Sequence, residues 1–246
     1  HDPLRRQRQM CIRDSLGDCF AGLIGRLTEP NFMHYPIWDA SVRIIHWYLV
    51  AAVGVMWWSG EQGEMTIHQW VGCSILCLVL TRVLWGWFGS QPSRFNAFVA
   101  GPRAIVNYLR SGGRYAGHNP LGALSVLALL TLLIMQATSG LFSQDDILFE
   151  APFAYWAGDW SGTLTEWHAI NWMLLQGLIA LHLLAVIWYQ WRKKQPLIQA
   201  MIRGRAGYKA SEIRPKPLWL AALIAVTIGL TLLWLISIAP EAPSYY

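Results

Sequence analysis

Residues Trp167–Trp191 read WHAINWMLLQGLIALHLLAVIWYQW, an apolar run carrying two histidines, His168 and His182, fourteen residues apart. As a helix the run is about 37 Å long at 1.5 Å per residue, enough to cross a hydrocarbon core roughly 30 Å thick. Fourteen residues advance roughly 21 Å and return within about 40° of the same face. Polar side chains are rare inside such segments and are functional candidates where they occur. This helix is therefore expected to cross a membrane and to present two polar groups at two depths along one face.

Four further runs of similar character flank it, at about Ser41–Ser59, Ile67–Phe88, Leu121–Phe142 and Leu218–Ile238, none interrupted by proline. With 54% hydrophobic and only 13% charged residues, the chain is too apolar for an ordinary soluble domain. Continuous runs of this length also exclude a single large soluble core. The fold class is an all-α polytopic membrane protein. The net charge of +5 would suit nucleic acid if it were spread over one surface, but its distribution points to lipid and to no nucleic-acid partner. Arg5, Arg6, Arg8, Arg13 and Arg26 precede the first span; Arg94, Arg103, Arg110 and Arg114 lie between the second and third; Arg192, Lys193, Lys194, Arg203, Arg205, Lys209, Arg214 and Lys216 follow the fourth. The alternate connections and the C-terminal tail carry Glu61, Glu64, Asp145, Asp146, Glu150, Asp159, Glu166 and Glu241 and no Lys or Arg. Basic loops stay in the cytoplasm, so the N-terminus is expected inside and the C-terminus outside.

Between these spans the punctuation is consistent. Asp39 is a candidate N-cap of the first span, and Gly60 with Gly63 marks the turn into the second. Arg103–Arg110 reads as a short amphipathic helix at the cytoplasmic surface. The loop Ser143–Glu166 is acidic and holds Phe149, Phe153, Tyr155, Trp156 and Trp160, an aromatic belt at the membrane interface or a quinone or partner surface. No internal repeat stands out. Arg8–Ser15, RQMCIRDS, resembles translated sequencing-adapter read-through, and the native chain is expected to begin later, near Met33. The expected organisation is an N-terminal cytoplasmic segment (1–36), a membrane domain (37–207), and a cytoplasmic linker with an extra transmembrane helix (208–246). The cysteines, Cys11, Cys19, Cys73 and Cys77, form no Cys-x-x-Cys-His motif, which excludes covalent haem attachment within the chain. Cys73 and Cys77 share a helix face as small packing residues.

Four histidines of seven lie in or at the edge of spans: His46, His68, His168 and His182. Helix direction sets their depths. The first span runs outward, placing His46 about 10 Å inside the cytoplasmic boundary; the second starts outside, with His68 in its first turn; the fourth runs inward, with His168 outer and His182 deeper. Depth then pairs His46 with His182 and His68 with His168, as two haems stacked between helices require, each iron taking an axial nitrogen from both sides. Arg82, fourteen residues after His68, and Arg43, one turn before His46, sit at the inner layer. Each can pair with an anionic propionate or snorkel to the lipid headgroups. Gly72, at i+4 from His68, allows a porphyrin close to the backbone or serves ordinary helix packing. His34 and His118 are not read as ligands.

At this point several stretches resemble a known family. WDASVRIIHW (Trp38–Trp47), HQWVG (His68–Gly72), RVLWGWFGS (Arg82–Ser90), SRFNAFVAGPRAIVNYL (Ser93–Leu109), AGHNPLGA (Ala116–Ala123) and AMIRG (Ala200–Gly204) are similar to prokaryotic cytochrome b561 and the nickel-iron hydrogenase b-type cytochromes. The resemblance covers about Ile37 to Gly207. It implies a four-helix core in the bacterial inner membrane, holding two haem b groups and exchanging electrons between a membrane quinone and a redox partner such as a c-type cytochrome or a hydrogenase-like protein. The family's ligand pattern falls on His46, His68, His168 and His182. The span Leu218–Ile238 is a departure from the usual core. No constellation for self-contained catalysis is present, so the expected role is an electron-transfer component. Two other classes remain open: an antenna protein whose histidines each ligate one chlorin, and a transporter with a histidine proton relay. Paired depths favour haem over the first, and the lack of intramembrane carboxylates and broken helices argues against the second.

Overall fold

A computed structural model describes residues 35–36, 38–111, 119–144, 149–206 and 215–240. Among the described residues, five helices are long and apolar enough to cross a membrane: Ala40–Gln62, Met65–Phe88, Pro120–Gly140, Trp160–Trp191 and Leu218–Ile238, the first to fifth spans. The protein is a multi-pass helical membrane protein.

Local chemistry sets the span ends. Asp39 caps the first span, its carboxylate accepting from Val42 N–H at 2.8 Å. Gly63, at φ 72°, ends it in the left-handed region, so only two residues separate it from the second span. Asn119 caps the third span, accepting from Gly122 N–H at 2.7 Å, and Pro120 occupies the first helical turn. The fourth span begins at Trp160, earlier than its apolar run suggests, because Ser161–Glu166 contains no proline and its single glycine, Gly162, is tolerated inside the helix. Hydropathy marks where a helix meets lipid, whereas the backbone stays helical until something stops it.

Sequential spans are neighbours: first with second, second with third, third with fourth, while the fifth packs on the second. All of the first four meet mid-bundle through Ala52, Ile75, Val79, Leu130, Leu133 and Leu175. Lipid is as apolar as these side chains, so close packing rather than escape from water holds the helices together. Large outward-facing residues such as Leu181, Leu184 and Trp219 remain exposed on the bundle's surface, as a lipid-facing surface requires.

The end that carries most Lys and Arg is tied together by backbone. Tyr35–Pro36 pairs antiparallel with Arg205–Ala206, and Trp38 N–H donates to Gly204 O at 3.3 Å. Gly204 follows the short helix Leu197–Arg203 at φ 75°, a conformation that favours glycine. The amphipathic helix forms over Pro102–Ser111; its buried Tyr108 meets the Tyr189 hydroxyl at the inner end of the fourth span. His34, His118, Asp145 and Asp146 lie outside the described residues.

Candidate functional site

The acidic end of the bundle brings His68 and His168 together. His68 stands in the first turn of the second span and His168 two turns into the fourth, and their ring centres are 6.3 Å apart at an interplanar angle of 69°. Both rings are tethered through Nδ1. For His68 the partners are Met56 O at 3.2 Å and Ser59 Oγ at 3.2 Å; for His168 they are Gln136 O at 2.9 Å and Ser139 Oγ at 3.1 Å. A carbonyl oxygen only accepts, so Nδ1 carries the proton in both rings and Nε2 keeps the lone pair. The Gln136 amide agrees with this assignment. Its Oε1 accepts from Asn171 Nδ2 at 2.6 Å, which turns its Nε2–H toward His168 Nε2 at 3.0 Å. Both histidines border a cavity of about 420 Å³, lined also by Gly72, Gln69, Trp57 and Trp172.

The basic end holds the other pair. His46 stands in the first span and His182 in the fourth, and the His46 Nδ1 is buried with no hydrogen-bond partner among the described residues. Arg82 is 6% exposed, so it does not snorkel. Its guanidinium lies 5.5 Å over the Phe95 ring, the charge of Asp39 acts on it, and Nη1 is buried with no hydrogen-bond partner among the described residues. The Asp39 carboxylate is itself occupied, accepting from Trp85 Nε1–H at 2.8 Å and Ser93 Oγ–H at 2.7 Å. Arg43 is half-buried against Gly204: a Cβ there would stand 2.6 Å from its Nη1. A Cβ on Gly72 would meet only Met56 Cε, at 3.5 Å.

Ser59, Gln136, Ser139, Gly140 and Asn171 join the site beyond the residues singled out from sequence, and Gly60, expected with Gly63 in the turn, joins it from within the last turn of the first span, Gly63 alone ending the helix. A Cβ on Gly140 would lie 2.8 Å from His168 Cε1, whereas one on Gly60 would lie 3.4 Å from His68 Cε1. Their signal in the sequence is a Ser-Gly dipeptide near the acidic end of both the first and third spans.

These residues fit a haem group. Two imidazoles that each give one nitrogen to a metal between them, at about 2 Å per bond, have centres roughly 6 Å apart, close to the separation of His68 and His168. Seating iron on His168 Nε2 asks the Gln136 amide to turn aside. At the basic end, the bare Nη1 of a buried arginine is a donor left for an anion, because a buried polar group without a hydrogen bond is costly. Among the described residues no three His, Cys, Asp or Glu side chains gather as a metal site; haem iron, held by its porphyrin, asks the chain only for axial ligands.

A family model described as prokaryotic cytochrome b561 matches residues 37–204. The chain belongs to this family. It is a membrane b-type cytochrome that carries haem b and takes part in electron transfer. Similar chains include the "Probable Ni/Fe-hydrogenase 1 B-type cytochrome subunit" of Escherichia coli strain K12, 22% identical over 226 residues, covering 76% of this chain and 96% of the relative. Another is the "Probable Ni/Fe-hydrogenase B-type cytochrome subunit" of Bradyrhizobium diazoefficiens, 23% identical over 214 residues, covering 70% of this chain and 86% of the relative. No solved structure matches the chain.

Proposed function

We propose that this b561-family cytochrome holds two haem b groups, one between His46 and His182 toward the basic end and one between His68 and His168 toward the acidic end. It passes electrons along them across the bilayer, between a quinone pool and a redox protein. The observation that carries this reading is the 6.3 Å approach of His68 and His168, two side chains from different spans, with His182 repeated fourteen residues along the same helix as His168. Haem iron supplies a centre that takes up and returns one electron. The histidines hold it and fix its depth, Arg82 and Arg43 supply positive charge to its propionates, and Gly72 leaves room for its ring. The names of the relatives attach them to Ni/Fe-hydrogenase, which favours a hydrogenase-like partner over a c-type cytochrome. The charge distribution favours an orientation with the basic end in the cytoplasm, and the membrane in this reading is the bacterial inner membrane.

The test is a haem count and a redox titration on the full-length protein purified in detergent. Two haem b per chain and two redox components are expected. His46→Ala and His182→Ala should each remove one component and leave the other, because the layers are about 21 Å apart; His68→Ala and His168→Ala should remove the second. If His46→Ala and His182→Ala abolish different components, the pairing is wrong.

A further inference from the structure

The surroundings of His68 and His168 repeat one another. In the first span, Met56 O accepts from His68 Nδ1–H, Ser59 Oγ–H donates to that same carbonyl at 3.2 Å while also meeting Nδ1, and Gly60 lies beside the ring. In the third span, Gln136 O accepts from His168 Nδ1–H, Ser139 Oγ–H donates to that carbonyl at 3.1 Å while also meeting Nδ1, and Gly140 lies beside the ring. The pattern in both is a carbonyl at i, a serine at i+3 and a glycine at i+4, near the acidic end of the helix that precedes the histidine's own. The tilt and stagger of the helices give each ring the same two acceptors on the same nitrogen. Burial strengthens such contacts: Ser59 is fully buried and Ser139 nearly so.

We propose that Met56–Gly60 and Gln136–Gly140 are paired positioning clamps: Ser59 and Ser139 hold His68 and His168 with Nε2 as the ligating nitrogen and set the potential of the haem they share, and Gly140 admits the His168 ring. This rests on the pairing of those two histidines argued above. The physical route is the hydrogen bond at the imidazole nitrogen that does not bind the iron. An imidazole whose Nδ1–H is given to strong acceptors is a more electron-rich ligand, which favours the oxidised metal. Removing one acceptor from either clamp therefore moves the same component in the same direction. The two glycines are unequal. A methyl at 2.8 Å from the His168 ring forces the ring to move, and one at 3.4 Å from the His68 ring asks for a few tenths of an ångström.

The experiment uses the full-length, haem-loaded protein and reads midpoint potentials by optical titration and low-spin ferric signals by electron paramagnetic resonance. His68→Ala and His168→Ala first identify the component each ligand belongs to. Ser59→Ala and Ser139→Ala should each raise the potential of that component and shift its resonance, leave the other component in place and keep the haem count. Ser139→Thr, which retains the hydroxyl, should return it toward the wild-type value. Gly140→Ala should lose most of that component, and Gly60→Ala should retain it. A serine variant whose own histidine's component does not move, or moves down, overturns the clamp, as does Gly60→Ala proving as damaging as Gly140→Ala. If the two histidine variants remove different components, or none, the pairing has failed instead, and that arm is read before any serine is changed.

Discussion

Arg82 is the residue whose surroundings are least complete. A guanidinium 6% exposed, with Nη1 buried and unpartnered, sits beside an Asp39 whose oxygens already accept from Val42, Trp85 and Ser93. Its Nη1 is a donor left for an anion from outside the chain, and a propionate of the haem proposed between His46 and His182 would supply one. Arg82→Gln should therefore lower the potential of the component that His46→Ala removes, since a nearby positive charge favours the electron. At an effective dielectric of about 20 the loss is on the order of 1–2 kcal/mol, roughly 40–90 mV for one electron. Redox titration reads it, and a shift confined to the other component would place Arg82 at the wrong layer. The depths of the four histidines were legible in the sequence because spacing and helix direction fix depth, while their role as ligands belongs to the proposal. Ser59 and Ser139 were not, because a serine in a span has many ordinary uses and its partner ring arrives from another helix. Arg82's choice between propionate and headgroup was equally closed to sequence, which places a residue at a depth without saying whether it faces inward.

The fifth span shows the same division at the level of the element. Its existence and bounds, Leu218–Ile238, follow from hydropathy alone. Its docking face does not, because a helix apolar all round has no stripe to read. In the structure it lies on the second span. Cys77 Sγ–H donates to Ala225 O at 3.1 Å, Leu232, Leu235 and Ile236 cover Cys73 and Leu76, and Lys216 Nζ donates to Phe88 O at 2.6 Å. It therefore sits outside the four helices that carry the histidines. A Cβ at Gly229 would stand 3.7 Å from Cys77 Sγ, near the reach of a disulfide. Gly229→Cys should accordingly crosslink to Cys77 under mild oxidant. With a protease site placed between Gly207 and Arg214, the cleaved C-terminal fragment should stay attached on a non-reducing gel and be released when Cys77 is also changed to Ser. Release without that second change would put the helix elsewhere.

Across the whole molecule, the charges and the four span histidines are arranged along one axis. The basic end carries Arg94, Arg103, Arg110 and Arg192–Lys194, while Glu61, Glu64, Glu150, Asp159 and Glu166 are exposed at the other end. This asymmetry was fully legible in the sequence, as was the family, because both reside in residue order. How the cavity opens was not, since it depends on loop packing. The loop is pinned by Thr165, whose hydroxyl accepts from Gln144 N–H and donates to Gln144 O, both at 3.1 Å, and Glu61, Gln144 and Phe149 line the cavity beside His68 and His168. The haem proposed between those histidines would thus be the one nearest the acidic surface, and a protein exchanging electrons there would meet carboxylates first. Complementary charge raises the rate of encounter more than the strength of the complex. Electron exchange with a basic partner should slow as salt rises from about 0.05 to 0.5 M, where the screening length falls from roughly 14 to 4 Å. Asp145→Asn with Asp146→Asn should slow it at low salt and flatten the dependence, leaving both haem potentials unchanged. Stopped-flow rates at several ionic strengths measure both effects, and rates indifferent to salt and to the substitutions would move the docking site off this face.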